Sequence, residues 1–363
     1  MTVRNIALDP GFGGFKAAEV QGNAVRVVTV PSVVGTGSTE LGLLDLAGVT
    51  GRQRRPDQPY HLAFEGVEFL VGPGVVDYTR PVERLDFQRL SGGAELRALT
   101  YATLFEMVAC TGGAGTGDGG KQEINLVVGL PVEVLQGPDA REIVRQLQGW
   151  MVGRHHFSVD GQEAALNVRA LRPMAQPVGA FFEWGLGLDG QWLRDKGDFM
   201  VPVAILDLGF NTLDLFTVQS GRINVRYTGG DTLGMRRAAT SLVESVRRQY
   251  QRPLSLHEAD ELLRCYVRVQ GRRSVDFPLA GGQVDVRGSV RAALHTTAGE
   301  VTAFVERTWG NGRQFSHLLL AGGGCLALSD RLQQQMPHAT LLDDPVTANA
   351  RGLARLAQRP GLF

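Results

Sequence analysis

The sequence predicts an α/β protein built as two similar domains, on three observations. Its 363 residues exceed the length over which one hydrophobic core keeps growing. Apolar strand-like runs alternate with helix-period segments through both halves, which calls for mixed sheets flanked by helices. One motif also occurs twice: "ALDPGFGGFKAAEVQGNAV" from residue 7 aligns with "ILDLGFNTLDLFTVQSGRI" from residue 205, so that Asp9 falls on Asp207, Gly11 on Gly209, Phe12 on Phe210 and Val20 on Val218. Each copy reads as an apolar strand, an aspartate at its end, a glycine turn and a second strand. A single such turn is as well explained by a plain hairpin, whereas two matched ones suggest two similar lobes facing each other.

Composition bounds the function. With 43% hydrophobic and 20% charged residues there is material for packed cores, and 37 acids balance 37 bases, so no bulk nucleic-acid or anionic-membrane partner is expected. Cys110, Cys265 and Cys325 are odd in number and lack CxxC spacing, which fits reduced thiols and no metal site. "MTVRNIALDP" is unlike a secretion signal and no apolar run approaches the roughly 18 residues of a membrane span, so a soluble, cytoplasmic protein is expected. His155 and His156 have no third ligand at helical spacing, and solvated or capping roles suit them better than zinc. Lysine occurs only at 16, 121 and 196, which singles out the one in the first glycine turn.

Taken in order, residues 3–8, 15–20 and 24–30 read as a three-strand meander. Residues 35 to about 82 are irregular, with short strands in "HLAFEGVEFLVG", and look like an insertion. A helix is expected over 94–110, a flexible surface loop at "TGGAGTGDGG" (111–120), a strand buried on both faces ending at Gly129 and Pro131, and a helix over about 138–150. "ALNVRALRPMAQPVGAFFEWGL" supplies a strand, a turn at 172–177 and a helix. The second half opens with a strand over 201–207 and the repeated hairpin, followed by helices at 232–250, 255–270 and 289–309. "HLLLAGGGCLAL" is a buried strand running into three glycines before a helix. The last helix, in "DPVTANARGLARLAQRP", has Pro345 near its first turn and small residues that allow close packing.

Consecutive backbone N–H groups in a glycine turn form an anion-binding concavity. Gly11, Gly13 and Gly14 in one lobe, and Gly209, Asn211 and Thr212 in the other, suit a polyphosphate held from two sides. Carboxylates beside phosphates make sense with a Mg²⁺ between, which makes Asp9 and Asp207 candidate metal residues, and Lys16 would neutralise phosphate charge. The alternative is that each aspartate caps its own turn. Gly322, Gly323 and Gly324 suit close approach of a nucleobase or phosphate, or simply a tight strand-to-helix turn.

The whole set resembles the actin superfamily of two-lobed ATPases. "DPGFGGFK" is similar to that family's first phosphate motif, "DLGFNTLD" to the second, "LLLAGGGCLAL" to the adenosine motif, and "AQPVGAFFEWGL" and "DPVTANARGLARL" to the two connecting helices, all in the family's order. The resemblance implies an α/β, actin-like two-lobed fold of two ribonuclease H-like domains, each with an inserted subdomain. The first lobe is expected over 1–187 and 345–363 with an insertion at about 35–90, the second over 188–344 with an insertion at about 241–315. It implies Mg²⁺ and ATP or ADP as ligands, with Phe12 and Phe210 inside the phosphate turns. Gln176 matches the position that orients the hydrolytic water, and a glutamine orients without deprotonating, so hydrolysis is expected to be slow. Its alternative is an ordinary helix-start residue before Pro177. Asp231 and Thr232 fall near the ribose and phosphates, and Glu258 and Glu261 could reach the adenosine or simply be solvated. The chain stops just after the second connecting helix, which argues against the chaperone branch. The resemblance is greatest to plasmid-segregation actins of the ParM/StbA type, implying a filament of identical subunits and a DNA-binding adaptor rather than direct contact with nucleic acid or membrane. A small-metabolite kinase or a non-hydrolysing nucleotide-dependent scaffold are the alternatives.

Overall fold

A computed structural model describes residues 3–37, 58–82, 90, 92–109, 122–279 and 282–363. The chain divides into two units, Met1–Leu193 with Ala350–Phe363, and Arg194–Asn349. In the first, β1 (Arg4–Gly11), β2 (Gly14–Gln21) and β3 (Ala24–Val30) form the expected meander. β4 (Val34–Thr36), β5 (Tyr60–Phe64), β6 (Val67–Val71) and α1 (Val75–Tyr78) follow. The remainder of the expected insertion at 38–57 and 83–89, the glycine run 111–120 and Cys110 lie outside the described residues. α2 (Ala94–Val108) leads to β7 (Gln122–Leu130), α3 (Val132–Gln136), α4 (Ala140–Met151), β8 (Gly153–Val159), β9 (Gln162–Ala175) and α5 (Gln176–Gly185).

The second unit contains α6 (Lys196–Met200), β10 (Val203–Leu208), β11 (Leu213–Gln219), β12 (Arg222–Ile223) and β13 (Gly229–Asp231). After these come α7 (Arg236–Tyr250), α8 (Leu256–Arg268), the hairpin β14 (Asp276–Leu279) and β15 (Gly282–Asp285), and α9 (Arg287–Trp309). β16 (His317–Ala321), α10 (Gly322–Ala327), α11 (Ser329–Gln335) and β17 (Ala339–Leu341) complete it, and α12 (Ala348–Leu356) starts in the second unit and continues into the first.

The duplication visible in the sequence extends to topology. The first sheet begins β3-β2-β1-β7-β9, the second runs β12-β11-β10-β16-β17, and in both the first three strands are antiparallel neighbours and the next two are added in parallel. The first sheet then extends through β8, β5, β6 and β4. Its central strands alternate faces at the period of two that a pleated strand imposes: Ile6 and Leu8 of β1, with Ile124, Leu126 and Val128 of β7, join one core with α2, whereas Ala7 and Val127 face α12 through Ala350, Leu353 and Ala354. β10 is buried along its whole length, as a strand covered on both faces must be.

Three boundaries differ from the sequence reading. The turn expected at 172–177 is absent: β9 runs straight to Ala175 and α5 starts at Gln176. Pro173 is tolerated because β8 pairs with β9 only as far as Val168, so β9 has one open side there on which a missing N–H costs no ladder bond. The helix expected from 232 begins at Arg236, since 229–231 instead pair with β11. The three glycines 322–324 are themselves the first turn of α10. His155 caps: its Nε2 donates to the carbonyl of Met151, the last residue of α4, which leaves Nδ1 to accept from the Tyr101 hydroxyl, and burial pushes its pKa down. No helix among the described residues is long and apolar enough to cross a membrane.

Candidate functional site

In the first unit the functional side chains meet at the end of β1. Asp9 and Lys16 are directly opposed across the β1–β2 hairpin, and Lys16 Nζ lies 3.1 Å from Asp9 Oδ2. Asp9 is only 3% exposed, so its charge needs partners there. A second comes from Gln176, the first residue of α5, whose Nε2 donates to Asp9 Oδ1 at 3.1 Å and to the Pro10 carbonyl at 3.3 Å. Both partners only accept, so the amide orientation is fixed and the Gln176 carbonyl oxygen remains as an acceptor. Gly129, at the end of β7, makes this approach possible, since a Cβ there would stand 3.0 Å from Gln176 Cγ and 3.5 Å from Asp9 Oδ1. The turn itself is tight: a Cβ on Gly11 would lie 2.9 Å from the Gly14 carbonyl oxygen. Phe12 packs on the first core, so what it offers a ligand is backbone, and Gly13 sits in the turn beside it.

The second unit repeats the device with one change. Asp207, 6% exposed, is opposed across the β10–β11 hairpin by Asp214, 1% exposed, at the position where the first hairpin carries Lys16. The second hairpin thus places two buried carboxylates at directly opposite strand positions where the first places a carboxylate and an amine. Asn349, on α12, donates its Nδ2 to Asp207 Oδ2 at 2.6 Å. Residues 209–212 form the turn, closed by the Gly209 N–H donating to the Thr212 carbonyl at 2.9 Å, with Asn211 at its tip and Phe210 packed against the second core. Asp231 pairs with Leu213 in β13, next to that turn. The start of α7 docks onto the same turn: Met235 and Arg236 N–H groups donate to the Gly209 and Phe210 carbonyls, and a Cβ on Gly234 would lie 2.3 Å from the Phe210 oxygen.

Gly322 touches the aspartate directly. It has φ of +84°, and a Cβ on it would stand 2.6 Å from Asp207 Oδ1 and 2.3 Å from the Leu208 oxygen, so only glycine fits. A Cβ on Gly324 would likewise meet Leu208, whereas one on Gly323 would make only an ordinary contact, 3.9 Å from a Val346 methyl. Neighbouring Cys325 is fully buried, and burial with the nearby Asp207 charge raises its thiol well above the usual range, so it is inert.

Two candidates are committed elsewhere. Glu258 closes a capping box with Ser255, its Oε2 accepting from both the Ser255 N–H and Oγ at 2.8 Å. Glu261 pairs with His257 one turn earlier on α8. Asp214, Gly129, Gly234 and Asn349 had escaped the sequence reading. Asp214 alone carried a readable signal, being the last residue of "DLGFNTLD" and the counterpart of Lys16 in the repeat.

Each hairpin ends in a hard carboxylate beside a glycine turn, and such an oxygen donor is of the kind that Mg²⁺ takes together with phosphate oxygens and its own waters. Among the described residues no three His, Cys, Asp or Glu side chains gather into a metal site.

The N-terminal domain model of actin like proteins matches residues 7–179, and the C-terminal domain model of the archaeal MreB-like actin homologue matches 205–334. No curated protein matches. Among solved structures, the ParM of a 15-stranded filament from Clostridium botulinum is 18% identical with a TM-score of 0.74, covering 99% of both chains. An archaeal actin homolog in complex with ADP is 17% identical with a TM-score of 0.70, over 98% of this chain and 100% of that one. Bacillus thuringiensis ParM with ATP is 13% identical with a TM-score of 0.63, over 98% of each.

Proposed function

From the premise that this chain belongs to the actin superfamily, we propose that it is an ATPase which binds Mg-ATP through the Asp9 and Asp207 hairpins, hydrolyses it slowly and assembles with ATP into filaments. Its cargo on this reading is plasmid DNA, reached in the cytoplasm through an adaptor protein and without direct contact with nucleic acid or membrane. The observation that carries the reading is the cluster of Asp9, Lys16 and Gln176 at a tight glycine turn, each side chain held by another.

Asp9 and Asp207 would hold magnesium, which when bound would supply neutralisation of phosphate charge. The remaining work falls to the chain. Backbone N–H groups of the two turns would bind phosphate oxygens, and Gly322 keeps the space beside Asp207 free of a side chain. Lys16, engaged with Asp9, is placed to pair with the terminal phosphates when they arrive. Gln176, anchored by its amide nitrogen, uses its carbonyl oxygen to accept a hydrogen bond from the attacking water. An amide has no basicity to take the proton, and that is the physical reason for slow turnover.

Gln176→Ala removes this acceptor together with the amide donor to Asp9 and the Pro10 carbonyl, while Lys16 still pairs with Asp9. Turnover is expected to fall about 100-fold, the cost of a misplaced reactant, with nucleotide affinity changed by a small factor only. Steady-state phosphate release together with nucleotide titration measures both. Filament formation is tested by light scattering and pelleting with ATP, ADP and no nucleotide. Assembly that requires ATP supports the reading, and absence of assembly at every protein concentration removes the filament from it.

A further inference from the structure

Resting on the Mg-ATP reading above, we propose that Asn349 is a positioning residue for the metal, holding the Asp207 carboxylate in its metal-facing orientation. Asn349 is 8% exposed and lies between Ala348 and Ala350, both fully buried. An amide in such surroundings is costly unless it is hydrogen-bonded, and its Nδ2 donates to Asp207 Oδ2 at 2.6 Å. The carboxylate can only accept, so the nitrogen end of the amide must face it.

The first unit shows the same construction. There too the hairpin aspartate receives a carboxamide from the start of a helix, Gln176 being the first residue of α5 and Asn349 the second of α12. In the first hairpin Lys16 also stands opposite the aspartate; in the second that place is taken by Asp214, so no cation is supplied from the facing strand. A fixed donor on one oxygen opposes rotation of the Asp207 carboxylate about its side-chain bond. With Oδ2 occupied by Asn349 and Oδ1 lying against Gly322, the carboxylate plane is set before any metal arrives. Partners that orient a metal's ligands are worth about 10- to 100-fold in metal affinity.

The test compares wild type with Asn349→Leu, which keeps volume without the donor, and with the smaller Asn349→Ala. A fluorescent ADP analogue is titrated in EDTA and, separately, at fixed nucleotide with increasing Mg²⁺; bound Mn²⁺ is followed by electron paramagnetic resonance. The expected result is a Mg²⁺ half-saturation raised about 10- to 100-fold with the affinity in EDTA unchanged. Unchanged half-saturation in a folded variant overturns the proposal, as does an equal loss of affinity with and without metal, which would mark Asn349 as a packing residue. Should wild type itself bind nucleotide with no response to magnesium, the reading of the site fails independently of the variants. Asn349→Ala serves as the folded comparison if the leucine does not fit.

Discussion

Gly352→Ala is expected to lower the stability of the first unit by about 3 kcal/mol, at the upper end of what overpacking costs. A Cβ there would sit 1.8 Å from the Gly179 carbonyl oxygen and 2.5 Å from the Glu183 nitrogen. Both are backbone atoms of α5, so no side chain can rotate out of the way and the two helices must separate. Their crossing is otherwise fastened by charge: Glu183 of α5 pairs with Arg351 and Arg355 of α12, and Arg355 also donates to the Leu186 carbonyl at 2.7 Å. Separation would strain these ion pairs and shift the start of α5, where Gln176 sits, so turnover is expected to fall with stability. A thermal midpoint lower by roughly 10 °C is the measurable consequence. Gly149→Ala in α4 is the control, because nothing stands within 4 Å of its Cβ position, and a helical glycine replaced by alanine in open space gains about 0.5 to 1 kcal/mol. If both substitutions behave alike, the close approach of α5 and α12 is not what Gly352 is for.

Asp207→Ala is expected to act in the opposite way, abolishing function while sparing the fold. On the Mg-ATP reading proposed above, loss of this carboxylate should reduce Mg²⁺-dependent ATP turnover by more than about 100-fold, the scale on which single electrostatic groups act in transition states. The fold should survive with a loss of about 1 kcal/mol, since the substitution leaves the buried Asn349 amide without its carboxylate acceptor. A midpoint within about 3 °C of wild type, with turnover lost, is the expected pair of results. Retained turnover would exclude Asp207 from the mechanism.

Much of this architecture is legible in the residues. The aspartate at a strand end followed by glycines and a second apolar strand is local information, and both copies fold as hairpins with Asp9 and Asp207 at matching positions. Helix α2 and strand β7 likewise appear where period and composition put them. What was not legible depends on partners distant in sequence. Asn349 reads as one polar residue in an alanine-rich helix, and its significance comes from a partner 142 positions away. The continuity of β9 through Pro173 could not be read because it depends on where β8 stops pairing. The capping box of Glu258 with Ser255 is a role beyond the two readings the sequence offers for it.

The near absence of lysine has a practical chemical consequence. Only three side-chain amines exist, at 16, 121 and 196, and the first is shielded in an ion pair with Asp9. On the proposed function, an acylating reagent read by peptide mass spectrometry would therefore report nucleotide arrival at position 16, with the exposed Lys196 as internal standard.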